Sequence, residues 1–253
     1  MTGEKKIRRF KCVCAYDGTD FNGWQSQPGG GSVQDLIEAR LEKIFGKKTR
    51  IHASGRTDSG VHADGQVFHF DAEWKHSDAA LLAALRAGLP ESVLPLSLRT
   101  AGKNFHARFS VKSKRYAYKI REAKAPPKEA RYVWSIGKRL DLEKLNDAAK
   151  IFLGTHDFTS FSANRGAGAK ENPVKTIYSL EAKRRGKTVV IQTRGSGYLY
   201  KMVRILVGAL VYASQGKFSK KDLEKILEAK ARAPYGFMAA PAKGLTLEKV
   251  FYR

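Results

Sequence analysis

The sequence predicts an α+β protein built from two ferredoxin-like halves, each running β-α-β-β-α-β with an antiparallel sheet, around a central basic cleft. Three observations predict it. Apolar residues switch between a period of two and a period near 3.6 in the same order twice along the chain. Serine or aspartate stands just ahead of most of the helical stretches, where an N-cap belongs. Lys and Arg number 47 against 24 Asp and Glu, for a formal net charge of +23, so the surface must carry a large basic field.

In the first half, residues 8–16 alternate as a strand. Ser32 reads as an N-cap with Asp35 in the capping-box position, and Val33, Leu36, Ile37, Leu41, Ile44 and Phe45 draw a helical stripe. Short strands are expected at 50–53 and 66–70. A second helix opens at Ser77 and Asp78 and runs through Leu81, Leu82 and Leu85 to Gly88, and 93–99 closes the set as a strand.

The second half repeats the rhythm without a visible sequence repeat. Residues 115–121 read as a strand, and Asp141 caps a helix ending at Gly154. Strands are expected at 176–183 and 188–194, then a helix over 198–213, a short helix from Ser219 and a last strand at 245–252. The expected domains are 1–104, carrying the candidate acid loop, and 105–253, with the join near 105–114.

A hydrophobic content of 42% with 28% charged residues marks a folded chain rather than a disordered one. A charge of +23 implies strong self-repulsion unless a polyanion is close, and nucleic acid is the leading candidate. The basic residues are spread along the whole chain, unlike the single amphipathic helix that binds an anionic membrane. The N-terminal stretch lacks the apolar core of a signal peptide, and the most apolar run, 202–213, is too short to span a bilayer. No membrane role is expected, and the expected location is cytoplasmic. Cys12 and Cys14 share one face of a strand, badly placed to bridge each other, and read as buried packing residues in a reducing compartment.

The stretch GRTDSGVHA at 55–63 sets Asp58 near Arg56 between two glycines, in a connection between strands. An aspartate there is ordinarily an ion-pair partner or an Asx turn. Held ionised by a neighbouring cation, it is instead a nucleophile or base ready at neutral pH. Other groupings are less specific. His52, His62 and His69, with Asp64 and Asp71 nearby, match no metal-ligand spacing, so no metal is expected. Ser54 and Ser59 lack the elbow of a serine hydrolase. The glycines at 29–31 lead into a helix N-terminus that suits a phosphate, but without a following Lys-Ser/Thr they read first as a turn. Residues 165–170 form a basic, glycine-rich loop compatible with RNA. In KSKRYAYK at 112–119, Tyr116 and Tyr118 alternate with cations, which suits either base stacking or a half-buried strand. Arg204 interrupts an apolar helix face and asks for an acidic partner or an anionic ligand. The loop offers Asp58.

GRTDSGVHA at 55–63, KRYAY at 114–118 and GYLYKMVRILVG at 197–208 together resemble the tRNA pseudouridine synthase A (TruA) family. Supporting stretches are YDGTDFNGWQ at 16–25, FHARFS at 105–110 and GTHDF at 154–158. The resemblance implies an isomerase, an intramolecular transferase that turns uridine into pseudouridine in the anticodon stem-loop of tRNAs, with the family's targets at positions 38–40. It implies Asp58 as the catalytic nucleophile, attacking either the sugar C1′ or the base C6. It further implies that Arg56 helps flip the uridine out, that Tyr116 packs on the flipped base and helps remove the C5 proton, and that Arg204 pairs with Asp58. The implied partner is tRNA, gripped at its anticodon arm by a homodimer, with neither metal nor redox cofactor. Lys243 and Thr246 stand where less charged and more aromatic residues are expected, and 164–170 looks individual; both bear on tRNA grip and target range. The rival reading is a non-catalytic tRNA-binding or RNA-remodelling protein. Charge and alternating aromatics fit it equally, but a pure binder has no reason to keep Arg56, Asp58, Tyr116 and Arg204 together.

Overall fold

The computed structural model describes residues 7–163, 171–232, 235–236 and 238–252. The basic loop expected at 165–170 lies outside them. The protein has a mixed α/β fold of two compact units, one comprising Met1–Lys112 with Leu247–Arg253 and the other Ser113–Thr246.

In the first unit β1 (Ile7–Tyr16), α1 (Val33–Phe45), β2 (His52–Ala53), β3 (His62–Glu73), α2 (Asp78–Arg86) and β4 (Val93–Ala101) follow in order. β1 lies between β4 and β3, antiparallel to both, and β2 pairs with β3. The alternation of β1 sends Phe10, Cys12, Cys14 and Tyr16 inward. Phe10 is opposite Phe70 and Cys12 opposite Phe68. Both thiols are fully buried and pushed up from their usual range by desolvation, Cys14 to about 12, so they pack as small apolar groups. α1 begins where its cap says it should. The Ser32 hydroxyl accepts the Asp35 N–H at 3.1 Å, and the Ser32 N–H donates to the Asp35 carboxylate at 3.2 Å. Such a box contributes about 1 kcal/mol. The helix buries Val33, Ile37 and Leu41, and burying each such side chain contributes roughly 2 kcal/mol.

The second unit contains β5 (Ser113–Arg121), β6 (Trp134–Ser135), α3 (Leu142–Ala149), β7 (Gly154–Asp157), β8 (Val174–Arg185), β9 (Thr188–Gly195), α4 (Met202–Ser214) and α5 (Lys220–Glu228). Its strands run β5-β9-β8-β7, antiparallel throughout, with β6 added parallel to the end of β5. α3 packs on β8 and α4. The last strand, β10 (Leu245–Phe251), lies beside β3, so the chain's end returns to the first unit.

Several details differ from the sequence reading; α3, for one, ends at Ala149 rather than at Gly154. The two units divide at 112/113 rather than 104/105. Residues 105–112 are tied to the first unit because the Arg9 guanidinium takes the Lys103 and Phe105 carbonyls at 2.7 and 2.9 Å, and the Tyr252 hydroxyl donates to the Ala107 carbonyl at 2.7 Å. The short strands β6 and β7 were not expected, because two to four residues carry too little alternation to read. α4 starts at Met202 rather than 198. Lys201 adopts the left-handed conformation at φ 58, which costs about 1 kcal/mol and turns the chain sharply into the helix. Among the described residues, no helix is long and apolar enough to cross a membrane.

Candidate active site

The Asp58 loop connects β2 to β3 and is braced from outside at each end. At its start, the Ser54 N–H donates to the Val67 carbonyl and its hydroxyl to Gln66 Oε1, both at 2.7 Å. Gln66 is fully buried on β3, and its amide also donates to the Gly55 carbonyl at 3.0 Å. In the middle, the Tyr16 and Thr57 hydroxyls bond at 2.8 Å in the core, and the Trp24 N–H takes the Thr57 carbonyl at 3.1 Å. At the end, the Val61 N–H closes a turn on the Asp58 carbonyl at 3.1 Å.

Residues 16–25 form the second layer of this construction. A Cβ built on Gly18 would stand 2.0 Å from the Val61 carbonyl oxygen, so only glycine lets the two segments touch. The Gly18 N–H also donates to His62 Nδ1 at 3.1 Å. That amide uses the nitrogen's lone pair, so the Asp17 carboxylate, 3.1 Å from the same nitrogen, is not its ion-pair partner in this tautomer. Asp17 accepts instead from the backbone and hydroxyl of Thr19.

The loop thus fixes its backbone while leaving Asp58 half-buried and Arg56 exposed. Arg56 is steered through a relay. Gln34, buried in the first turn of α1, accepts from the Gln25 amide at 2.9 Å, and Gln25 Oε1 accepts from Arg56 Nε at 3.2 Å. Neither Gln25, Gln34 nor Gln66 is conspicuous in the sequence.

Tyr116 and Arg204 belong to the second unit. Tyr116, opposite Thr193 of β9, is 8% exposed and meets the Tyr198 ring edge-on at 5.2 Å. Tyr198 is itself held by the Thr193 hydroxyl at 3.0 Å. Tyr118, two residues on, is wholly buried and donates to the Pro241 carbonyl at 2.7 Å. Burial pushes both the Tyr198 and Tyr118 phenols well above their usual range, with Arg204 opposing the shift at Tyr118. Both tyrosines of this strand are thus buried, Tyr118 completely.

Arg204 sits in the first turn of α4, where the helix dipole disfavours a cation. A carbonyl offsets that. Arg204 Nε donates to the Ala240 carbonyl at 2.7 Å, and the Ala240 N–H donates back to the Arg204 carbonyl at 2.9 Å. One turn later Gly208 admits the same strap, since a Cβ there would lie 2.0 Å from the Met238 carbonyl oxygen. Residues 238–240 thus fix the arginine's stem from a part of the chain that sequence reading noticed only for Lys243 and Thr246.

Among the described residues, no three His, Cys, Asp or Glu side chains are arranged to hold a metal ion. The glycines at 29–31 form a turn closed by Gly30 N–H on the Gln27 carbonyl and held by Asn22.

A family model described as tRNA pseudouridine synthase matches residues 13–110 and 148–253, which takes in Arg56, Asp58 and Arg204 but not Tyr116. Relatives match nearly end to end. A tRNA pseudouridine synthase A of Geobacillus kaustophilus is 42% identical over 97% of this chain and 95% of its own length. One of Brevibacillus brevis is 41% identical over 97% and 100%, and one of Akkermansia muciniphila 40% over 97% and 96%. Among solved structures, a Cbf5-Nop10-Gar1 complex aligns at 12% identity over 84% of this chain and 54% of that one, with a TM-score of 0.37, too slight a likeness to decide anything. With a family model spanning most of both units and relatives near 40% identity along almost the whole chain, this chain belongs to the tRNA pseudouridine synthase family.

Proposed function

We propose that the chain isomerises uridine to pseudouridine in the anticodon stem-loop of tRNA, at positions 38–40, with Asp58 as nucleophile. The observation that carries this reading is the setting of Asp58: a half-buried carboxylate on a loop clamped at Ser54, Thr57 and Val61, in a chain of this family. A carboxylate carried on a loop fixed in this way needs less reorganisation at the moment of reaction.

In the proposed sequence Asp58 attacks C1′ or C6 of the uridine, and the N1–C1′ glycosidic bond breaks. The uracil turns, a C5–C1′ bond forms, the C5 proton leaves and the carboxylate is released. Atoms and electrons balance within one nucleotide plus solvent protons, so the chemistry calls on no oxidant, reductant or metal. Arg56, exposed beside the nucleophile, replaces the contacts the uridine loses on leaving the stack. Tyr116 packs on the flipped base and assists removal of the C5 proton, its ring set by the edge contact with Tyr198. Arg204, its Nε held on the Ala240 carbonyl, is assigned as the arginine that supports the nucleophile. The architecture we assign is a ferredoxin-like fold for each half. The strand order β4-β1-β3 with β2 beyond, and the β-α-β-β-α-β order of the first unit, support it. A cytoplasmic homodimer gripping tRNA by its anticodon arm completes the reading; the net charge of +23 supports the tRNA.

The test is release of the C5 hydrogen from tRNA transcripts carrying 5-tritiated uridine. Wild type is expected to release tritium, while Asp58→Ala and Asp58→Asn fold, bind tRNA and release none. Full activity in either variant refutes the nucleophile. No release by wild type, with tight binding by all three, moves the reading to a non-catalytic tRNA-binding protein.

A further inference from the structure

We propose that the turn over residues 105–110 is a second RNA contact, a rigid platform on which Phe109 and His106 stack an unpaired base of the tRNA while Arg108 meets a phosphate. The proposal rests on the tRNA reading above and concerns a part of the surface that the reaction itself does not use.

Phe109 is 77% exposed, more than any other large apolar side chain among the described residues. A lone exposed phenylalanine needs no explanation; what sets this one apart is how it is held. The His106 N–H donates to Ser110 Oγ at 3.0 Å, and the Ser110 N–H returns to the His106 carbonyl at 2.9 Å. His106 Nδ1 accepts the Arg108 N–H at 3.1 Å, and the Ala107 N–H is fixed on His69 Nδ1 at 3.1 Å. The turn is therefore ordered before any ligand arrives, which lowers the entropic cost of binding through it.

The rings form a continuous series. Phe109 lies 4.3 Å from His106 with a 32° tilt, His106 lies 5.8 Å from His52, and His52 stacks on His69 at 5.2 Å. Arg108 is exposed and reaches over Phe109 at 5.9 Å. Asp71, the acid that acts on His69, is already bound by Arg9 through two bonds of 2.7 and 2.6 Å. An exposed aromatic face beside an exposed cation, with the local acid neutralised, fits a base and its phosphate. It does not fit an acidic peptide, which has no planar face to stack.

Binding is measured with a full tRNA transcript and, separately, a blunt RNA duplex of the same length. Phe109→Ala is expected to raise the Kd for tRNA about tenfold and leave duplex binding unchanged, because a duplex offers no unpaired base. Phe109→Trp restores tRNA affinity and Phe109→Leu does not, which separates stacking from mere apolar contact. Arg108→Ala weakens both RNAs and reduces the slope of log Kd against log salt by about 0.7 to 1. A tRNA Kd for Phe109→Ala within twofold of wild type overturns the proposal, as does equal weakening of both RNAs. A change of oligomeric state in Phe109→Ala with unaltered tRNA binding also overturns it, because a second copy then covers the ring. If wild type makes no pseudouridine yet Phe109→Ala still loses tRNA, the catalytic reading fails and the platform stands.

Discussion

His69 gives the sharpest prediction, because its surroundings fix both the sign and the size of a pH effect. The ring is 2% exposed, and its Nδ1 accepts the Ala107 N–H, so the neutral form is built into the fold. Desolvation first, then His106, Arg9 and His52, lower its pKa from 6.5 to about 4, with only Asp71 opposing. The unfolded chain takes up this proton as the pH falls through 6.5, and the folded chain resists until about 4. Stability that is fully present above pH 6.5 is therefore lost as the pH drops through that window. At about 1.4 kcal/mol per pH unit, the loss reaches roughly 3 kcal/mol at the acid end. His69→Asn keeps an acceptor for Ala107 but forfeits ring packing, so it is expected to be less stable at pH 7.5 by about 1–2 kcal/mol. Between pH 6.5 and 5 it loses stability more slowly than wild type, by up to about 1 kcal/mol per pH unit. Urea unfolding at pH 7.5, 6.0 and 5.0 measures both. Parallel pH profiles for the two proteins, or an NMR titration of folded His69 centred near the ordinary histidine value, would refute the reasoning.

Two further substitutions test other parts of the structure. Gly18→Ala drives a methyl into the Val61 carbonyl and is expected to destabilise the first unit by about 2–3 kcal/mol while cutting tritium release far more than tRNA affinity. Wild-type activity there would show that the loop's brace is dispensable. Glu122→Gln breaks a two-pronged pair with Arg184, both bonds 2.9 Å, that also anchors the Leu140 N–H at 2.7 Å. It is expected to cost about 2–3 kcal/mol at pH 7. Because Arg184 holds the Glu122 carboxyl below its usual range, that stability is present above the ordinary carboxylate pKa and is lost as the pH falls beneath it. The gap between wild-type and variant melting temperatures should therefore shrink at pH 3.5, and a constant gap would contradict the assignment.

The sequence by itself determined whatever depends on neighbours a few residues apart. The alternation that buries Phe10, Cys12 and Cys14, the capping boxes of Ser32 with Asp35 and Ser219 with Asp222, and the position of Asp58 between two strands are written in spacings of two to four residues. Tertiary structure decided what depends on segments far apart in the chain meeting in one register. Gly18 against Val61, Gln34 reaching Arg56 through Gln25, and the 238–240 strap on Arg204 and Gly208 are contacts that no local period encodes. The imidazoles show the difference best. In the sequence nothing ties His106 to His52 and His69; β2, β3 and the 105–110 turn bring their rings within 4.6 to 5.8 Å of one another. Only that convergence, by removing water and adding neighbouring positive charge, turns an ordinary histidine into one that stays neutral to about pH 4.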